Sequence, residues 1–156
     1  MAVSTKLQSV ANYFLYVANR SGMSINNKKL QKLVYYAQAW HLVLCNDSLF
    51  EDQIEAWVNG PVVKDLWSQY NVHYTGPIPA AQVMEPSLTP EVKRVLDEVW
   101  QVYGKFDADY LVELVHSESP WLKAREGLDE NLPSRREITI ESMREYYALV
   151  LEDAQK

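Results

Sequence analysis

The sequence predicts a mostly α-helical fold, a single compact domain of six to seven helices with a short extended or β segment around Ile54–Val58. Apolar residues recur at three- and four-residue spacing along most of the chain, as one face of a helix requires. Asn, Asp and Thr residues suited to capping stand at the heads of several of these stretches. Alternation of period two occurs at one place, where Ile54, Ala56 and Val58 interleave with Glu55, Trp57 and Asn59.

The elements follow in order. Leu7, Val10, Ala11, Phe14, Leu15, Val17 and Ala18 line one face of a helix over Thr5–Arg20, which Gly22 stops. A second helix opens at Asn26 or Asn27, with Ile25 placed to staple against Leu30, and its wide apolar stripe marks the centre of the core. It runs to Asn46-Asp47. Gly60-Pro61 ends the extended segment, and a proline suits the first position of a helix, so a third helix is expected through Val62, Val63, Leu66, Trp67 and Tyr70. Residues Asn71 to Leu88 contain Gly76, Pro77, Pro79 and Pro86 and read as a long irregular loop. Thr89-Pro90 opens a helix that Gly104 closes. Asp107 or Asp109 caps another, Ser119-Pro120 opens a short one ending at Gly127, and Thr139 caps the last, with Ile138 stapling on Met143. Tyr146, Tyr147, Val150 and Leu151 are expected to face inward from it.

Composition narrows the function classes. The chain has 156 residues, 15 basic and 21 acidic, a formal net charge of −6 and a pI near 5.1. Affinity for a phosphate backbone comes from clustered Lys and Arg, so a nucleic-acid partner is not expected. A length of 156 residues supports one real hydrophobic core; the domain is taken as residues 1–156 with a core over about 5–151. The lone Cys45 cannot form an internal disulfide, and its apolar helical setting predicts a buried, inert thiol. The first residues lack the apolar run of a signal peptide, and nowhere do some 18 apolar residues follow one another. A cytoplasmic protein without membrane contact is the expectation. The 5 Trp and 10 Tyr against 3 Phe favour half-wet surfaces and interfaces.

Motifs for chemistry are absent. His41, His73 and His116 lie far apart, with no HExxH or CxxC, so no metal or cofactor is expected, and any metal site would have to be assembled by the fold. His41 reads as a packed or rim imidazole and His73 as a solvated one. His116 stands late on its helix, where it can satisfy the terminal carbonyls, or serve as an acid–base or recognition group in a cleft. No GxSxG elbow or phosphate-cradling glycine loop occurs. Of two basic clusters, Lys28-Lys29 with Lys32 is placed on the outer, solvated face of the second helix, and Arg135-Arg136 stands apart.

Three segments carry a resemblance: Lys29–Trp40 (KLQKLVYYAQAW), Glu55–Val63 (EAWVNGPVV), and Leu114-Val115-His116 followed by Pro120-Trp121 and Ala124-Arg125. In this order and at these distances they resemble the Panacea domain, also known as the phage-associated GepA-like family, over about Leu7 to Tyr147. The resemblance implies a bacterial, prophage-type antitoxin that neutralises a toxin protein encoded beside it by binding it. One relative is an adaptor that delivers its toxin to a protease. Some members carry a DNA-binding domain. Helices that begin almost at Met1 and end soon after the last leave no room for one, which puts transcriptional autoregulation in doubt.

The residues themselves agree with a binding module. Tyr35, Tyr36, Trp57, Trp67, Tyr70, Trp100 and Trp121 are more large amphipathic rings than a small core needs, and Tyr and Trp anchor hot spots. Tyr35, Tyr36, Trp57, Trp67, Tyr70, His116 and Trp121 are the candidate partner contacts, although each ring taken singly also fits a core. Leu30, Leu33, Gly60, Pro61 and Pro120 are assigned a structural role. The acidic net charge would steer a basic toxin, and the loop from Asn71 to Pro86 is the place for specificity. The expected partner is therefore a cognate toxin, with a protease the partner of an adaptor. An enzyme reversing the toxin's modification through His116, and a binder of a host or phage factor, are the readings from other classes.

Overall fold

The computed structural model describes residues 3–156, which form seven α-helices, one 3-10 turn and a three-stranded sheet. Helix α1 (Thr5–Arg20) is capped by Ser4, whose hydroxyl accepts from the Leu7 N–H at 3.2 Å. Helix α2 (Asn27–Leu44) is capped by Asn26, which accepts from the Lys29 N–H at 2.8 Å. Strands β1 (Ile54–Trp57) and β2 (Gly60–Val62) follow, then α3 (Lys64–Gln69) and the 3-10 turn at Asn71–His73. Helices α4 (Pro90–Tyr103), α5 (Ala108–His116) and α6 (Ser119–Ala124) lead to β3 (Glu137–Ile138) and α7 (Ile140–Ala154). Thr89, Asp107 and Thr139 cap α4, α5 and α7 through their side chains, as their positions predict.

The expected helix start at Gly60-Pro61 is corrected. These residues form β2, the edge of an antiparallel sheet ordered β2-β1-β3, and the helix begins at Lys64. Proline is tolerated here for a specific reason. Its register partner is Ala56, whose N–H is spent on the other side of the strand, on the Arg136 carbonyl at 2.8 Å. No ladder bond is asked of Pro61. Gly60 turns the hairpin at φ +108°, where a side chain is strained, and a Cβ there would meet Lys32 Cε at 2.6 Å and make the end of that lysine shift.

Helix α2 is the axis of the molecule. It packs against α1, α3, α4, α5, α7 and β2, and 14 of its 18 residues are buried, so it lacks the polar face of a surface helix. Leu30, Leu33, Tyr35 and Tyr36 sit in one hydrophobic cluster with residues from α1 to α7. The Tyr36 ring stacks on Tyr103 at 3.9 Å and meets Tyr147 edge-on. Beside them lies Glu118, a buried carboxylate whose Oε1 accepts from Tyr36 (2.7 Å) and Tyr147 (2.8 Å). Burial raises its pKa, against the downward pull of the two phenols. From α7, Tyr147 faces inward as expected and Met143 is buried with it, whereas Tyr146, Val150 and Leu151 are only half-buried.

The long loop is tied down more firmly than its composition suggests. Ile78 is buried, and its N–H donates to the Ile25 carbonyl at 2.9 Å. Among the described residues no helix is long and apolar enough to cross a membrane.

Leu33 is fully buried at the centre of α2. Replacing it with Ala is expected to destabilise the fold by about 2–5 kcal/mol through the cavity left behind. Urea unfolding of the variant beside the parent measures it, and equal midpoints would contradict the central position of α2.

Candidate functional site

The site is the β1–β2 hairpin and the groove in front of it. Three consecutive carbonyls of the hairpin are taken by side chains from α5, α6 and the turn after α6. Arg125 Nη1 donates to Ala56 O at 2.9 Å, Trp121 Nε1 to Trp57 O at 2.8 Å, and His116 Nε2 lies 2.8 Å from Val58 O. A carbonyl only accepts, so Nε2 carries the imidazole hydrogen. The His116 ring stacks on Trp121 at 4.0 Å, and the Arg125 guanidinium lies 5.1 Å above the same indole. From α2, Gln31 Oε1 accepts from Val63 N–H at 3.0 Å and Lys32 Nζ reaches the Pro61 carbonyl at 3.4 Å. The hairpin is thus suspended from both sides by side chains.

Arg125 also holds the groove's far wall. Its Nη2 donates to the carbonyls of Asp129 (3.2 Å), Glu130 (3.3 Å) and Leu132, which fixes the turn leading to Pro133, Ser134 and Arg135. Between that wall and the hairpin lies an open groove of about 500 Å³, lined by Trp57, Val58, Val62, Trp67, Tyr74, Arg135 and Lys28 among others. Trp57 and Trp67 meet at 5.3 Å across its floor. Trp57 Nε1 is turned to Glu55 at 2.8 Å, and Asn59 donates to the Tyr74 hydroxyl at 2.5 Å. Lys28 is ion-paired with Asp109 at 2.7 Å, which leaves the exposed Arg135 as a rim cation with no ion pair among the described residues.

The predicted contact residues divide. Trp57 and Trp67 line the groove, and half-buried Tyr70 takes a 3.3 Å bond from Gln8 on α1. Tyr35, Tyr36 and Trp121 are placed in the core, at 1%, 0% and 4% exposure, where they pack rather than face solvent. His116 is half-buried and serves the distant Val58 carbonyl, not its own helix end. Burial lowers its pKa, with the Val58 bond opposing. Pro120 is buried with Trp121 at the start of α6.

The basic cluster of α2 is corrected. Lys29 and Lys32 are not on a solvated face; they are 6% and 1% exposed, and only Lys28 approaches the surface. Lys29 Nζ donates to the Gly104 carbonyl at 2.5 Å. Desolvation, with Lys28 nearby, pushes the Lys32 amine down to about 7. Cys45 is likewise half-buried rather than buried, at the C-terminus of α2. His41 is packed as expected, with Nδ1 2.7 Å from the Asp47 carbonyl. Sequence reasoning missed Gln31, Lys32 and Glu118 as hairpin and core fasteners. Their signal was polarity inside a helix or turn otherwise committed to the core.

This arrangement defines a helical scaffold that displays a rigid, aromatic-floored groove. The chain belongs to the SocA-like antitoxin family with the Panacea domain, whose family model matches residues 30–122. The matched span starts on α2 and ends just beyond Trp121, shorter than the Leu7–Tyr147 expected, and it contains the whole hairpin. No curated protein and no solved structure matches the chain.

Lys32 gives a pH signature. Its folded pKa lies below that of a free lysine, 10.5, so between about pH 7 and 10.5 the unfolded chain binds more protons. Stability therefore rises with pH through that window, by up to about 1.4 kcal/mol per unit. Lys32→Met should flatten the rise between pH 7 and 9.5 when unfolding free energy is followed by denaturant titration. Parallel curves for variant and parent would show that Lys32 is charged and solvated in the fold.

Proposed function

We propose that this protein is an antitoxin that neutralises a toxin protein by direct, stoichiometric binding through the Trp57–Trp67 groove. The observation that carries the reading is the groove itself. It offers two half-exposed indoles and one rim cation on a backbone that five side chains hold in place. Preorganised aromatic anchors of this kind concentrate binding energy. The complementary surface on the toxin is an apolar or aromatic side chain flanked by a carboxylate that meets Arg135. The acidic net charge of the chain acts separately, by steering a basic partner at long range.

The family membership supports a toxin as that partner. The commitments of the buried polar groups favour binding over catalysis. His116 Nε2 is spent on Val58, Arg125 on the carbonyls of the hairpin and the following turn, and Glu118 on two phenols. Tyr74 brings the long loop to the groove's edge, which supports a role for residues 71–86 in partner choice. Cytoplasmic residence beside a toxin encoded nearby belongs to the same reading.

The test is co-expression with the product of the adjacent small open reading frame, with growth and a tagged pull-down as readouts. Rescue with a co-purifying one-to-one complex is expected. Trp67→Ala and Arg135→Glu should each weaken that complex by roughly tenfold or more while the fold is retained. His116→Gln should leave neutralisation intact as long as the hairpin keeps its place, and rescue lost while the one-to-one complex still forms would favour an enzyme instead. Rescue without a complex, coupled to a shortened toxin half-life that needs a protease, would replace sequestration with delivery.

A further inference from the structure

At the opposite end of α2 from its Asn26 cap, three side chains converge that neither the groove nor the core explains. His41 and Cys45 stand four residues apart on the last turn of α2, so they share one face. Glu91 reaches them from the first turn of α4. A ring nitrogen of His41, the Cys45 sulfur and a Glu91 carboxylate oxygen all lie within 4.8 Å of one another. We propose that His41, Cys45 and Glu91 bind a zinc-class divalent ion, with water as the fourth ligand. The site stands independently of the antitoxin reading.

The donor set selects the ion. A thiolate, an imidazole and a carboxylate suit a borderline-soft tetrahedral metal, whereas calcium and magnesium want oxygen alone. Bond lengths of about 2.0–2.3 Å at tetrahedral angles put ligand atoms about 3.4–3.6 Å apart, so from separations within 4.8 Å the triad closes by no more than about 1.4 Å. Glu91 is exposed and Cys45 half-buried, which leaves both side chains room to adjust. His41 Nδ1 lies 2.7 Å from the Asp47 carbonyl, which only accepts, so Nδ1 carries the hydrogen and Nε2 keeps the lone pair. A backbone acceptor on the second ring nitrogen is the usual support of a metal-binding histidine. Arg94 and Asp47 are the other charges near the thiol, of opposite sign. Burial and then Glu91 push that thiol's pKa up, and an ion bound as thiolate would displace its proton. The ion would clip the end of α2 to the start of α4, where the chain returns from its long loop.

The spacing was visible as His41-x-x-x-Cys45, but the third ligand lies on another helix. Titration of the chelator-treated protein with cobalt(II) tests the site. One equivalent should bind with a thiolate-to-cobalt charge-transfer absorption in the near ultraviolet, and zinc should abolish that absorption by displacement. Cys45→Ser should remove the absorption, and Glu91→Gln, an exposed change that leaves the fold intact, should weaken cobalt binding roughly tenfold or more. A folded parent that shows no such absorption at millimolar cobalt overturns the proposal. So does an absorption that persists in Cys45→Ser, or an affinity unchanged in Glu91→Gln.

Discussion

Helix α2 is buried on nearly every side and yet carries Asn27, Lys29, Gln31, Lys32, Gln38 and His41 inside the protein. The fold depends on how those polar groups are satisfied. Each meets backbone from a different neighbour. Asn27 donates to Trp67 O (3.0 Å), Lys29 to Gly104 O, and Lys32 to Pro61 O. Gln31 accepts from Val63 N–H, Gln38 serves both Phe50 O (2.6 Å) and Leu49 N–H (2.7 Å), and His41 meets Asp47 O. A buried polar group left unpaired costs about 1–3 kcal/mol, so the demand runs both ways. The side chain needs the loop where it is, and the loop's peptide groups need the side chain. Among the described residues no buried side-chain nitrogen or oxygen lacks a partner. Apolar contacts make α2 the centre, but these bonds decide where the connections around it lie.

That division accounts for what was legible in the sequence. Helix positions and their Asn26, Thr89, Asp107 and Thr139 caps could be read locally, because a cap and its helix are neighbours in sequence. The period-two segment at Ile54 was legible for the same reason. Its partners were not. Strand β3 at Glu137–Ile138 is two residues long and has no pattern of its own; its pairing with Ile54 and Glu55 is set by tertiary packing. Pro61 fits a helix start and an edge strand equally well, and only the Ala56 register decides between them. Lys29 and Lys32 read as solvent-facing because lysine usually is. Nothing near them in sequence announces the carbonyls of Gly104 and Pro61. Of the candidate site, the two indoles of the groove were in view, while Tyr74 and Arg135 belong to loops whose placement is a long-range result.

The same bonds give the three segments that carry the resemblance a physical meaning. The KLQKLVYYAQAW run supplies Gln31 and Lys32 behind the hairpin. The EAWVNGPVV run is the hairpin, and His116, Trp121 and Arg125 close its carbonyls from the other side. The three segments recognise one another. They describe how a scaffold is assembled. The side chains that face outward across the same hairpin, Trp57 and Trp67 with Arg135 beside them, have no such hydrogen-bond partner among the described residues apart from Trp57's bond to Glu55.

A scaffold of this kind gives up some stability for definition. Lys32 with its lowered amine and Glu118 with its raised carboxyl are both held in their environments against desolvation, where well-packed apolar residues of similar volume are often no less stable. What an apolar replacement could not do is specify register. A leucine at position 32 would bury as well, but it offers no donor to the Pro61 carbonyl, so that fastening between α2 and the hairpin would be lost. Gly60 lies against the same side chain, since a Cβ there would press on the end of Lys32. Because the groove's floor is the outer face of that hairpin, the register fixed from behind by Lys32 and Gln31 sets the positions of Trp57 and Val62 in front. The polar core is therefore the device that shapes the candidate binding surface, although none of its members touches it except Gln31, which reaches from the core to the groove lining.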